Sequence, residues 1–104
     1  MLIVGCGDLG ARVGGSLLQD GWEVHAARRD TSRLPPGFVG HAADYTAAGS
    51  LDFAADLQPD YVLATFTPAD RSEAGYRRGF AAAAANLVAG LGGHRPRSIL
   101  MVSS

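Results

Sequence analysis

Along this 104-residue chain, short apolar runs alternate with stretches whose apolar residues recur at helical spacing, the pattern of successive β–α–β units. Leu2–Val4 is wholly apolar, as a strand covered on both faces requires. Leu9, Val13, Leu17 and Leu18 follow at helical spacing, and Gly21 is placed to end that helix in a left-handed turn. Trp22–Ala27 reads as a second strand and Phe38–Ala43 as a third, with Pro35 and Pro36 forbidding regular pairing between them. A short helix is expected over Ser50–Leu57, stopped by Pro59. The stretch DYVLATFTP, β-branched and aromatic, is the clearest strand; it starts at Asp60 and is closed by Pro68. Asp70 and Glu73 predict the capped start of a long helix. That helix would carry Tyr76, Phe80, Ala84, Leu87, Val88 and Leu91 on one face and break near Gly90–Gly93. RSILMVSS is a fifth strand.

These elements predict an α/β chain: a three-layer Rossmann-like fold with a parallel sheet of about five strands in the order 3-2-1-4-5, a truncated doubly wound domain. A fifth strand at the end of the sequence leaves a sheet edge that something must cover. The expectation is therefore an N-terminal piece of a longer protein, with its catalytic and substrate-binding region further on.

Composition narrows the classes. Apolar residues make up 47% of the chain and charged ones 18%, too apolar for disorder. A net charge of −1 and a pI near 6.2 give no electrostatic reason for a nucleic-acid or anionic-membrane partner. No apolar run approaches the ~18 residues needed to cross a bilayer, and no basic flank marks a secretory signal; a cytoplasmic protein is expected. The single cysteine, Cys6, can form neither an internal disulfide nor a cysteine-based metal site by itself. All nine basic residues are arginine, which excludes a catalytic lysine within the chain.

The candidate chemistry centres on LIVGCGDLG, residues 2–10, where Gly5, Gly7 and Gly10 stand in Gly-x-Gly-x-x-Gly spacing between a predicted strand and a predicted helix. Gly5 permits the sharp turn, Gly7 lets the backbone approach a pyrophosphate, and Gly10 lets the helix pack closely on the sheet; the helix start offers free N–H groups. Gly14 is a second close-packing position. Cys6 and Asp8 fill the variable positions, Cys6 either as a small buried filler or as a thiol activated by the helix terminus. At the end of the second strand, HAARRD places Arg28 and Arg29 where such folds read the adenosine ribose: arginine suits the 2′-phosphate of NADP, an acid the 2′-hydroxyl of NAD. Asp30 is the competing acid, and Arg33 adds to the basic cluster. Asp44, after the third strand, either accepts from an adenine amino group or caps the next turn.

Together IVGCGDLG, HAARR, AADYT, VLATFTP, ANLVAGL and ILMVSS resemble, in order, the N-terminal part of the NAD(P)-binding domain of extended or atypical short-chain dehydrogenase/reductases, the NAD-dependent epimerase/dehydratase branch. The resemblance implies that Gly5, Cys6, Gly7, Asp8, Leu9 and Gly10 line a pyrophosphate and that Arg28 and Arg29 take the 2′-phosphate. It places Asp44 and Tyr45 at the adenine, and Ala64, Thr65 and Phe66 beside the nicotinamide ribose. NADP is the implied cofactor, with NAD the alternative, and the longer protein would act on a small-molecule carbonyl or alcohol. The departures are as informative. The family's catalytic Tyr-x-x-x-Lys is missing, since Tyr45, Tyr61 and Tyr76 are followed four residues on by Gly49, Thr65 and Phe80. Ser103 and Ser104 only flank the expected serine or threonine. Two functions remain open: the cofactor-binding part of an oxidoreductase or epimerase/dehydratase, inactive alone, and a non-catalytic NADP sensor.

Overall fold

The computed structural model describes residues 1–66 and 73–103. Its sheet has five parallel strands in the order β3-β2-β1-β4-β5: β1 Leu2–Val4, β2 His25–Arg28, β3 Val39–Ala42, β4 Tyr61–Phe66 and β5 Ser98–Ser103. Helix α1 (Asp8–Gln19) follows β1, α2 (Phe53–Leu57) follows β3, and α3 (Glu73–Leu91) joins β4 to β5; a single 3-10 turn, Thr31–Arg33, sits between β2 and β3. This is the expected Rossmann-like order. Pro68, Asp70 and Ser104 lie outside the described residues.

Alternation along the central strands divides the core into two layers. Leu2, Val4, Ala27, Val62 and Ala64 face α2 and α3, where they meet Leu51, Ala54, Ala83, Leu87 and Leu91. Ile3, Ala26 and Leu63 face the other way, toward Val13, Leu17 and Leu18 of α1. With both faces of β1 covered, all three of its side chains are buried, which is why the strand reads as an unbroken apolar run.

Glycine decides how close α1 can come. A β-carbon at Gly10 would stand 2.9 Å from Ile3 Cγ2, and one at Gly14 would overlap the Phe38 ring. The helix ends as a Schellman turn: Gly21 takes φ +87, its N–H donates to the Leu18 carbonyl at 3.1 Å, and the Trp22 N–H reaches back to Leu17 at 3.0 Å. That last bond corrects the second strand. Trp22 is spent on closing α1, so β2 begins at His25 rather than at Trp22.

Other boundaries shift for similar local reasons. Phe38 precedes β3 and packs beside Gly14 instead of joining the strand. Residues 50–52 form turns through i→i+3 bonds, such as Asp52 N–H to Gly49 at 3.3 Å, so α2 starts only at Phe53. In α3 the deeply buried stripe is Ala83, Leu87 and Leu91, while Val88, expected on that face, is 61% exposed. Gly90 stays helical because it is the contact point: a β-carbon there would overlap the Leu51 carbonyl. The helix then stops at Leu91, followed by Gly92 at φ +60. Of β5, Ile99, Leu100 and Met101 are exposed, Leu100 by 60%.

Candidate dinucleotide-binding site

Parallel strands deliver their carboxyl ends to one rim of the sheet, and the chemistry-bearing residues collect there. A cavity of about 770 Å³ opens over that rim, bounded by the glycine loop, the end of β2 and the segment after β3. Gly5, Cys6, Gly7, Asp8, Leu9, Arg28, Arg29, Tyr45 and Thr65 all line it. Gly10, Asp44 and Ala64 do not: Gly10 and Ala64 are buried in the packing beneath the rim.

The loop is held from both sides. Its Gly5 N–H donates to the Ala27 carbonyl of β2 at 2.9 Å, and the Thr65 hydroxyl of β4 donates to the Gly5 carbonyl. Gly5 sits at φ +79, and a β-carbon there would collide with the Thr65 carbonyl, so a glycine is required on two counts. Gly7 has the opposite character. It is the N-cap of α1, contributes no capping side chain, and has no atom within 4 Å of where a β-carbon would be. The first N–H groups of a helix have no partner within it, so this exposed backbone opens onto the cavity like a cradle that a side chain would fill. The residues present therefore fit the pyrophosphate of a dinucleotide.

Cys6 is buried, and burial pushes its thiol pKa up against the opposing pull of Arg28. That fits the small-filler reading and leaves no activated thiolate. Leu9, expected among the apolar contacts of α1, is exposed at the cavity mouth instead.

Each arginine of the basic cluster has a partner. Arg28 Nη1 donates to the Cys6 carbonyl at 3.0 Å. Arg29 pairs with Asp44 at 3.3 Å, and Arg33 with Asp30 at 3.6 Å, both out in solvent. Asp44 is committed to its own turn: Oδ1 accepts from the Thr46 N–H at 3.0 Å and from the Thr46 hydroxyl at 2.6 Å. These two bonds, with Arg29 adding to them, hold its carboxyl below the usual range. Of the two roles open for Asp44, capping the next turn is the one the geometry displays. Asp30 does the same for Ser32, whose hydroxyl and amide lower its pKa. The Tyr45 carbonyl takes a hydrogen bond from Asn86 of α3 at 2.9 Å, anchoring the segment after β3.

Three lining residues were not singled out from the sequence: Ala43, Thr46 and Val102. The Asp-x-Thr spacing at 44–46 carried a signal for Thr46. Val102 carried none, because it reaches the cavity only through the β4–β5 register that sets it beside Thr65. Among the described residues no three metal-ligating side chains converge, and no helix is long and apolar enough to cross a membrane.

The parallel order, the crossover helices and a glycine loop opening α1 define a Rossmann-like α/β chain. Among solved structures it is similar to a protein of Methylobacillus flagellatus provisionally assigned as an NAD-dependent epimerase/dehydratase: TM-score 0.78, 28% identity, 99% of this chain and 36% of that one. It also shares its fold with a provisionally assigned epimerase of Bacteroides thetaiotaomicron, at TM-score 0.65, 19% identity, and coverage of 96% of this chain and 44% of the other. The resemblance to the NAD-dependent epimerase/dehydratases thus holds in three dimensions along the whole chain, which spans less than half of either protein. No protein-family model and no curated protein matches the sequence.

Proposed function

We propose that the chain is the dinucleotide-binding part of an oxidoreductase or epimerase/dehydratase, and that it prefers NADP to NAD. The observation that carries this reading is the convergence on one cavity of the unfilled Gly7 backbone and three arginines, Arg28, Arg29 and Arg33. Arginine matches a phosphate with a planar fork of donors. Of the acids nearby, Asp30 and Asp44 each give one carboxylate oxygen to Ser32 or Thr46 and the other to Arg33 or Arg29. When bound, the nicotinamide supplies hydride transfer to or from a carbonyl or alcohol of a small-molecule substrate. The chain's own share is binding and orientation: the loop and the α1 start cradle the pyrophosphate, Arg29 and Arg33 face the 2′-phosphate, and Thr65 borders the nicotinamide side.

The tyrosine–lysine pair that moves the proton in the family it resembles is missing from these 104 residues, which hold no lysine, so turnover is assigned to the longer protein. Titrating the purified chain with NADPH and NADH tests the reading: NADPH is expected to bind at least about tenfold more tightly, a difference near 1.4 kcal/mol. Equal affinities reject the NADP preference, and no binding of either rejects the dinucleotide site. Carbonyl reduction by the chain alone would reject its dependence on further residues.

A further inference from the structure

The three arginines of the cavity differ in what they hold. Arg28 is half-buried, and its guanidinium is turned inward onto a loop carbonyl, Cys6 O, 22 residues away in sequence. Arg29 and Arg33 are 73% and 76% exposed and, among the described residues, pair with the carboxylates of Asp44 and Asp30.

We propose that Arg28 is a positioning residue that braces the glycine loop, and that the choice between NADP and NAD is left to Arg29 and Arg33. This rests on the dinucleotide reading of the cavity and assigns separate duties within it. The peptide group is planar, so holding the Cys6 carbonyl holds the whole Cys6–Gly7 peptide and with it the entry into α1, where Gly7, Asp8 and Leu9 line the cavity. The brace adds to two other restraints on the loop: the Gly5 N–H donates to the Ala27 carbonyl of β2, the Thr65 hydroxyl of β4 donates to the Gly5 carbonyl, and Arg28 donates to the next carbonyl along. Redirecting Arg28 to a phosphate would forfeit a charge-assisted bond in a partly buried place. Arg29 and Arg33 face no such loss, because solvent-exposed ion pairs are weak and a phosphate offers each a more highly charged partner than the carboxylate it leaves.

The experiment compares NADH and NADPH binding across variants of the chain. Arg28→Gln is expected to lower both affinities by a similar factor, about tenfold, and Arg28→Lys to recover part of both together. Arg29→Gln and Arg33→Gln are expected to lower the NADPH-to-NADH affinity ratio, by about tenfold when combined. Loss of NADPH binding alone in Arg28→Gln would overturn the proposal while leaving the NADP reading intact. Amide hydrogen exchange on the ligand-free chain gives a readout that needs no nucleotide. Arg28→Gln should speed exchange at residues 6–9 while leaving the central strands protected; wild-type exchange there would overturn the brace. Should wild type bind neither dinucleotide, the functional reading falls and the exchange result still decides the brace.

Discussion

The sheet carries a cavity at each end, and the two are close in size, about 640 Å³ at the amino ends of the strands and about 770 Å³ at the carboxyl ends. Their linings differ in kind. The amino-end cavity is walled by Trp22, His25 and Tyr61, with Asp20, Glu23 and Asp60 against Arg97. The carboxyl-end cavity has Arg28, Arg29 and Arg33 against Asp8 and Asp30, and a helix begins at its edge. Volume does not tell a dinucleotide site from a surface hollow; chain direction does. In a parallel sheet every crossover helix starts near the carboxyl rim, so unpaired N–H groups and the loops able to bring side chains beside them gather at that end.

Glycine substitutions break the comparison most sharply. Gly5→Ala should cost the chain about 3 kcal/mol of stability, the sum of a left-handed φ and an overlap with the Thr65 backbone. Chemical denaturation measures it, and a loss below about 1 kcal/mol would mean that the loop relaxes freely. Gly7→Ala should leave stability nearly unchanged, because its φ of −97 is ordinary and the space beside it is open. Its effect belongs to binding: NADPH affinity should fall about thirtyfold, roughly 2 kcal/mol, as read by calorimetric titration. If Gly7→Ala binds NADPH as wild type does, the open space beside that glycine is not a ligand cradle.

The same substitution at the amino end supplies the control. Gly21 also has a positive φ, +87, with open space around it, so Gly21→Ala should cost about 1 kcal/mol through backbone strain alone and leave nucleotide affinity untouched. A change in NADPH binding in this variant would show that the two ends are coupled.

The smallest effect is a pH dependence seated beside the amino-end cavity. His41 lies between the His25 ring, 2.9 Å from it through the ring nitrogens, and the stacked Phe53 ring. Burial, and secondarily the His25 charge, hold its pKa below the ordinary histidine value. The folded chain therefore binds fewer protons here than the unfolded chain, so this contribution is complete above about pH 6.5 and declines as the pH falls toward the lower, folded pKa. Melting temperature should drop on acidification through that window, and less so in His41→Gln. An identical slope in both proteins would place the acid sensitivity elsewhere.

Much of the fold was legible because its signals are local. An apolar triplet before a glycine loop specifies a buried strand and a turn, and Gly21 could be placed as a helix stop from its position after Leu17 and Leu18 alone. Boundaries were less legible where one residue had two possible partners. Trp22 is a good strand residue by type, yet its N–H closes α1; Val88 is apolar at helical spacing, yet α3 meets the sheet along Ala83, Leu87 and Leu91. At the site, the sequence brought forward the glycines, Arg28, Arg29 and Thr65, and passed over Val102, whose place at the cavity depends on strand register.

By itself, then, the sequence determined the β–α alternation, the glycine loop and the supply of arginines without lysine, since periodicity, turn chemistry and composition act over a few residues. Only the tertiary structure decided that Arg28 turns onto the Cys6 carbonyl while Arg29 turns to Asp44, and that Asp44 caps Thr46. Two adjacent arginines are chemically identical in a linear chain. They part company only in the fold, where Arg28 ends β2 against the glycine loop and Arg29 lies just past the strand, exposed and within reach of Asp44.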